Sequence, residues 1–400
     1  MMDLKYFLDR IRDVKVTDYI SVIPMFIALI IKPFYKEKYK GSWLICEEPT
    51  EARDNGYHFF RYMCKEQSQQ KCYYAIKKKS VDYKKVKKLG SVIEYSSIQH
   101  WLAYFLCDYN ISSQKGGKPN AAMCSFMELN RKFHPKNIFL QHGIIINNVK
   151  WLYADKCCIE KFITSTYPET EYIKQNFGYP ENAIQMTGMP RFDALHDGKV
   201  IGGRILIMPT WRYWFNLKSK KNVDTDAEFE TSEYLQCWIE LLCCLEMENL
   251  IKKYNLEVIF YLHRNMQNRI EEFYKIKTPV IIASWKKYDI QNLIKTSEML
   301  ITDYSSVFFD MVYMKRPVIF YQFDEEKYRK YQYTEGYFDY HNNVFGNTYF
   351  TKEGIFDELE NIICNKFKPS KNFLKEHDKI FGFWDNKNSK RIYDMLKSGV

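Results

Sequence analysis

The chain predicts an α/β protein built from two nucleotide-binding-type (Rossmann-like) domains facing across a cleft, and three observations predict it. Short apolar runs of strand length alternate with helical patterns over nearly the whole length, which argues for parallel sheets covered by helices. At 400 residues the chain exceeds what one hydrophobic core usually organises, and a hydrophobic share of 46% is ample for two. The 32 Tyr and 28 Phe outweigh 16 Gly and 12 Pro, a balance suited to packed sheets and helices rather than long loops.

The first domain is expected over 41–195. Its strands are predicted at Trp43–Cys46, Cys72–Ile76, Ser91–Ile93, Tyr109–Ser112, Ile138–Leu140, Phe162–Ser165 and Ile184–Thr187. Helices fit between them, including Tyr57–Lys65 and Pro168–Phe177, where the fixed φ of Pro168 suits a first helical position. After Gly188-Met189-Pro190 a polar passage runs to Gly202-Gly203, so the second domain is placed at 196–400. Its elements are strand Arg204–Met208, a long helix over Tyr234–Tyr254, strands Glu257–Leu262 and Val280–Ile282, helix Ile290–Ser297, strand Met299–Thr302, helix Ser305–Tyr313 and strand Val318–Phe320. Asn216 to Glu230 reads as a long charged loop.

Residues 1–40 read as a short amphipathic segment. The apolar stretch Ile20 to Ile31 contains Pro24 and is too short for a spanning helix, which needs roughly 20 apolar residues. It also lies too late, and lacks the small-residue cleavage site, for a secretory signal. Lys32, Phe34, Tyr35, Lys36, Lys38, Tyr39 and Lys40 follow, a composition suited to an anionic membrane interface; the competing reading is a helix packed on the first domain.

The formal net charge of +10 favours an acidic partner: nucleic acid, an anionic leaflet or a phosphate-bearing substrate. Runs such as Lys77-Lys78-Lys79 read as solvated faces, and without zinc-finger spacing or an RNA-binding signature no nucleic-acid partner is expected. The 11 Cys are odd in number and contain no Cys-x-x-Cys pair, which points to a reducing, cytoplasmic compartment. Asp224-Thr-Asp226 formally matches a metal-binding pair, but it sits among Glu228 and Glu230 and follows no apolar strand. It reads as a solvated acidic loop, and neither a metal nor another cofactor is expected.

Four strand ends carry the candidate chemistry. In Met299-Leu-Ile-Thr-Asp-Tyr-Ser-Ser306 a buried strand runs into hydroxyls and then a helix, which would put Ser305 or Ser306 at a helix start suited either to an anion or to plain capping. Met208-Pro-Thr-Trp-Arg212 brings Thr210 and Arg212 to a sheet's carboxyl edge, where Arg212 could clamp a diphosphate. Tyr261-Leu-His-Arg264 places His263 at the same edge, with Arg264 adding charge. Ile138-Phe-Leu-Gln-His-Gly143 ends a first-domain strand at His142, a candidate base, with Gly143 permitting close backbone approach or positive φ.

Taken together these pieces resemble the CDP-glycerol glycerophosphotransferases of teichoic acid and capsule synthesis. The matching segments are Ala52-Arg-Asp-Asn-Gly-Tyr57, Leu140-Gln-His-Gly143, Thr187-Gly-Met-Pro-Arg-Phe-Asp193, Pro209-Thr-Trp-Arg212, Leu262-His263 and Ile301-Thr-Asp-Tyr-Ser-Ser306 through Arg316-Pro317, in the family's order. The resemblance implies a GT-B-like fold that binds CDP-glycerol or CDP-ribitol mainly in the second domain. It also implies a lipid-linked or polymeric glycan acceptor and a place at the inner face of a bacterial plasma membrane. It gives His142 and His263 catalytic roles and assigns Gly143, Arg191, Thr210, Arg212, Arg264, Asp303, Ser305 and Ser306 to substrate binding. The acceptor-side loop departs from wall teichoic acid members: Ile144 to Asn148 follows Gly143 where those carry Thr-Pro-Leu-Lys. A GT-B glycosyltransferase using a nucleotide sugar is the alternative enzyme, and a membrane-bound scaffold with a decayed site is the non-enzymatic one.

Overall fold

The computed structural model describes residues 22–130, 133, 135–215 and 225–399. They form two compact α/β units. The first comprises the described residues of Met1–His142, Lys150–Ala194 and Asp385–Val400; the second comprises Gly143–Val149 and those of Leu195–Trp384.

The first unit is built on seven parallel strands: β1 (Trp43–Cys46), β2 (Cys72–Ile76), β3 (Val92–Glu94), β4 (Tyr109–Ser112), β5 (Asn137–Phe139), β6 (Lys161–Thr164) and β7 (Ile184–Met186), in the order β3-β2-β1-β4-β5-β6-β7. The order reverses between β1 and β4, which marks the topological switch point. Every residue of β1, β5 and β6 is buried, as expected when helices cover both faces of a parallel sheet. Trp43, Phe59, Ile111 and Ile138 pack one side of the core, and Leu44, Trp101, Leu102 and Cys124 pack the other.

The second unit has six parallel strands: β8 (Arg204–Ile207), β9 (Glu257–Tyr261), β10 (Ile281–Ala283), β11 (Met299–Thr302), β12 (Val318–Tyr321) and β13 (Gly346–Tyr349), in the order β10-β9-β8-β11-β12-β13. Its switch point lies between β8 and β11. Trp238, Phe260, Phe273 and Leu359 belong to its core.

Several expectations need correction. The last helix, Asn388–Ser398, belongs to the first unit, although 196–400 was expected as one domain. Ile392 and Leu396 pack with Trp43, the Asp193 carboxylate accepts the N–H groups of Asn388 and Ser389 at 2.7 and 2.9 Å, and Arg391 Nε donates to Thr187 O at 2.8 Å. The helix expected over Tyr234–Tyr254 is two helices, Glu233–Cys243 and Leu245–Tyr254, because Cys244 adopts an extended backbone at ψ 157°. Strand β13 carries no apolar run and went unpredicted; Gly346 lets it lie against β12, since a Cβ there would meet Val318 O at 2.2 Å. Within the expected charged loop, Thr225–Glu230 is helical, while Asp224 and the side chain of Asp226 lie outside the described residues.

Residues 1–21 also lie outside the described residues, so only part of the expected N-terminal segment is seen. Helix Val22–Ile31 buries Met25 and Ala28 against the first unit and exposes Ile23, Phe26 and Ile30, followed by Phe34 at 86% exposure. No described helix is long and apolar enough to cross a membrane.

Candidate functional site

In the first unit, His142 lies just past β5 at the carboxyl edge of the sheet. The turn that aims it is made by Gln141, whose φ of 62° is unusual for a residue with a side chain. Three hydrogen bonds hold that conformation: Asn55 Nδ2 donates to Gln141 O at 2.7 Å, and Gln141 Nε2 donates to Ile163 O at 2.5 Å and to Glu169 Oε1 at 3.0 Å. The imidazole emerges with its side chain 67% exposed and its Nδ1 2.5 Å from Asp54 Oδ2.

A carboxylate has no proton to offer, so Nδ1 carries the hydrogen and Nε2 is left as the basic nitrogen. The Gln114 amide also lies 3.0 Å from Nδ1. The Asp54 charge raises the imidazole above its ordinary range. Burial alone would raise the Asp54 carboxyl, but His142 and Arg191 hold it below the usual value.

Arg191, expected to grip substrate, is instead buried behind the histidine. Its Nη1 donates to His142 O at 2.7 Å and lies 3.5 Å from Asp54 Oδ1, while its backbone N–H donates to Asn55 Oδ1 at 3.0 Å. Asn55 therefore ties the turn before His142 to the turn at Arg191. Asp54 lay within a motif singled out in the sequence but carried no assigned role, because its pairing with a residue 88 positions away is not visible along the chain.

In the second unit the switch point is held by ion pairs. Arg212, expected as a clamp for a diphosphate, is fully buried. Its Nε and Nη2 donate to Asp324 at 2.8 and 2.9 Å, its Nη1 lies 2.8 Å from Asp303 Oδ2, and the rings of Tyr234, Tyr304 and Tyr328 surround the guanidinium. Burial opposes its charge, yet the two carboxylates keep it well above its usual range. Asp303, also expected at the substrate, is buried and accepts the backbone N–H groups of Thr210 and Tyr304, both at 2.7 Å. Thr210 is likewise buried, and its carbonyl accepts from Arg212 Nη1 and Tyr234 Oη. These residues brace the loops after β8 and β11. Asp324 and the three tyrosines escaped the sequence reading because nothing local marks them as partners of Arg212.

The expected helix start at Ser305 or Ser306 lies further on: the helix is Phe308–Tyr313 and its cap position is Val307. Both serines sit in the preceding turn, half-buried, where Ser305 O and Ser306 O accept the N–H groups of Phe308 and Phe309. Gly143 packs on this turn, since a Cβ added there would meet Ser306 Oγ at 2.7 Å. Of the two roles expected of Gly143, close approach is the one the structure uses; positive φ belongs to Gln141.

His263 follows β9, and its Nδ1 accepts the backbone N–H of Asn265 at 3.2 Å. The neutral ring therefore carries its proton on Nε2, the reverse of His142. Trp211 lies beside it, ring centroids 6.4 Å apart. Arg264 stacks on Trp285 at 3.8 Å. Among the described residues no group of three or more His, Cys, Asp or Glu could hold a metal ion.

The family described as CDP-glycerol:poly(glycerophosphate) glycerophosphotransferase matches residues 25–398. The minor teichoic acid biosynthesis protein GgaB of Bacillus subtilis (strain 168) is 31% identical over 363 residues, covering 89% of this chain and 40% of that protein. The teichoic acid poly(glycerol phosphate) polymerase of Bacillus spizizenii is 25% identical over 244 residues, covering 59% of this chain and 53% of its own length. The chain thus spans about half or less of these relatives. The wall teichoic acid polymerase TagF, solved as its H548A variant, superposes with a TM-score of 0.65 at 18% identity over 96% of this chain and 98% of that one, which shows the shared GT-B-like fold.

Proposed function

The chain belongs to the CDP-glycerol:poly(glycerophosphate) glycerophosphotransferase family, and on that premise we propose that it transfers glycerol phosphate, or a related polyol phosphate, from a CDP-linked donor to a hydroxyl of a lipid-linked or polymeric cell-surface glycan. The observation that carries the reading is the opposite hydrogen bonding of two imidazoles at Nδ1, a carboxylate at one and a backbone N–H at the other. Held through Nδ1 by Asp54, His142 offers a basic Nε2; holding the Asn265 N–H on Nδ1, His263 offers an Nε2–H donor.

The acceptor oxygen attacks the phosphorus that bears the polyol, and its proton passes to His142 Nε2. The bond from that phosphorus to the bridging oxygen breaks, and the electron pair leaves with CMP. His263 donates a hydrogen bond to the phosphate oxygens as charge builds on them. The braced loops after β8 and β11 would present Ser305 and Ser306 toward the donor, with Thr210, Arg212 and Asp303 acting from behind.

The protein would work at the inner face of the plasma membrane. Apolar side chains exposed along Val22–Ile31 and at Phe34, followed by Lys36, Lys38 and Lys40, suit the interface of an anionic leaflet. A donor screen tests the chemistry: CDP-glycerol and CDP-ribitol, each with a lipid-linked glycan acceptor, should release CMP, whereas UDP release from a UDP-sugar would instead establish a glycosyltransferase.

A further inference from the structure

Glu47 follows β1 at the switch point of the first unit, and its side chain is buried. Its Oε1 accepts the backbone N–H groups of Arg53 and Asp54 at 2.7 and 3.2 Å, and its Oε2 accepts that of Tyr57 at 2.9 Å. These groups belong to the start of helix Asn55–Glu66, whose cap residue Asp54 makes no side-chain capping bond. In a nucleotide-binding unit the first strand-to-helix turn is the ordinary seat of a ligand phosphate. Here the chain fills that seat with a carboxyl group of its own.

Gly56 makes room for it, since a Cβ there would meet Glu47 Oε2 at 2.8 Å. Asp82 steadies the same loop from outside, accepting Ala52 N–H at 3.0 Å and Arg53 Nε at 2.9 Å. What this loop carries is the His142 apparatus: Asp54 at Nδ1, and Asn55 between Gln141 and Arg191.

We propose that Glu47 is a positioning residue for proton transfer at His142: as an internal hydrogen-bond acceptor at the start of helix Asn55–Glu66, it fixes the backbone of Asp54 and Asn55 so that Asp54 meets the imidazole. The inference rests on the reading of His142 as the base. It also removes this turn as a nucleotide seat, which leaves donor phosphates to the second unit. The titratable groups facing Glu47 are Asp54 on its loop, Cys46 on β1, Tyr74 on β2 and His142 beyond β5. Burial, and then the Asp54 charge, push the Glu47 carboxyl up to about 8 against the three N–H groups that favour its ionised form.

The test uses the full chain as wild type, Glu47→Ala, Glu47→Gln and Gly56→Ala. CMP release from CDP-glycerol is followed across pH, and the His142 imidazole is titrated by NMR with His142→Ala as the assignment control. Glu47→Ala is expected to lower kcat at least tenfold, leave KM for CDP-glycerol within twofold, and move the His142 midpoint to lower pH. Glu47→Gln keeps an acceptor for the Arg53 and Asp54 N–H groups and should recover most of kcat. Should the alanine variant not fold, Gly56→Ala displaces the carboxylate and is expected to shift the same midpoint. An unchanged His142 midpoint in folded variants would overturn the proposal. Because the NMR titration needs no substrate, it decides on Glu47 even if the wild type releases no CMP from any donor, a result that would count only against the functional reading.

Discussion

His142 Nδ1 lies 2.5 Å from Asp54 Oδ2, joining a helix start near the beginning of the chain to a strand end 88 residues later. Asp54 raises the imidazole pKa, and the neutral ring is the active form, so activity should climb as pH rises through an apparent pKa above the ordinary histidine value of about 6.5. Asp54→Asn should move this acid limb to lower pH, because the raising charge is gone, and should lower the plateau rate. The stability linkage has a definite sign as well. A histidine raised in the fold stabilises fully below its unfolded pKa and loses that contribution as pH rises through its folded one, so Asp54→Asn should flatten this slope in denaturant titrations. An unmoved acid limb would separate Asp54 from catalysis.

His142→Ala removes the base and should cost about 10²- to 10⁴-fold in turnover while donor affinity stays near wild type. Single-turnover CMP release, paired with calorimetric binding of CDP-glycerol, separates the two quantities.

Arg212→Ala tests the buried ion cluster. Removing the guanidinium leaves Asp303 and Asp324 buried with their charges uncompensated, so the variant should lose about 3–5 kcal/mol of stability, read by urea denaturation. A variant of normal stability with selectively weakened CDP-glycerol binding would restore Arg212 as a ligand clamp.

His263→Ala should lower kcat roughly 10²- to 10³-fold by removing a donor at the phosphate oxygens. His263→Gln, which keeps a side-chain N–H, should fall less. Equal losses in both, measured as kcat across donor concentrations, would tell against a donor role.

Gly143→Ala places a methyl 2.7 Å from Ser306 Oγ, and since rotation of that hydroxyl relieves the contact, a thermal melt should show a loss below about 1 kcal/mol. In a Ser306→Gly background the contact is gone, and any such loss should vanish.

For the membrane interface, replacing Phe26, Ile30 and Phe34 with Ser should release the protein from sedimenting anionic vesicles without altering its far-ultraviolet circular dichroism. Unchanged sedimentation would dismiss the interfacial reading of this segment.

By itself the sequence determined most of the scaffold. Runs such as Trp43–Cys46 and Met299–Thr302 are apolar at every position or nearly so, which only a strand covered on both faces explains, and their alternation with helices implies parallel sheets with chemistry at their carboxyl ends. It also placed both histidines at strand ends, since the periodicity that defines a strand also marks where it stops. The tertiary structure alone decided what those residues face. Asp54 against His142, Glu47 against the Asp54 turn, Asp324 against Arg212 and the last helix against Trp43 are contacts between segments whose separation leaves no periodic trace. The left-handed Gln141 and the burial of Arg212 follow the same rule: each depends on partners that folding brings together, so an arginine that reads as a ligand clamp along the chain becomes an internal brace once two carboxylates close around it.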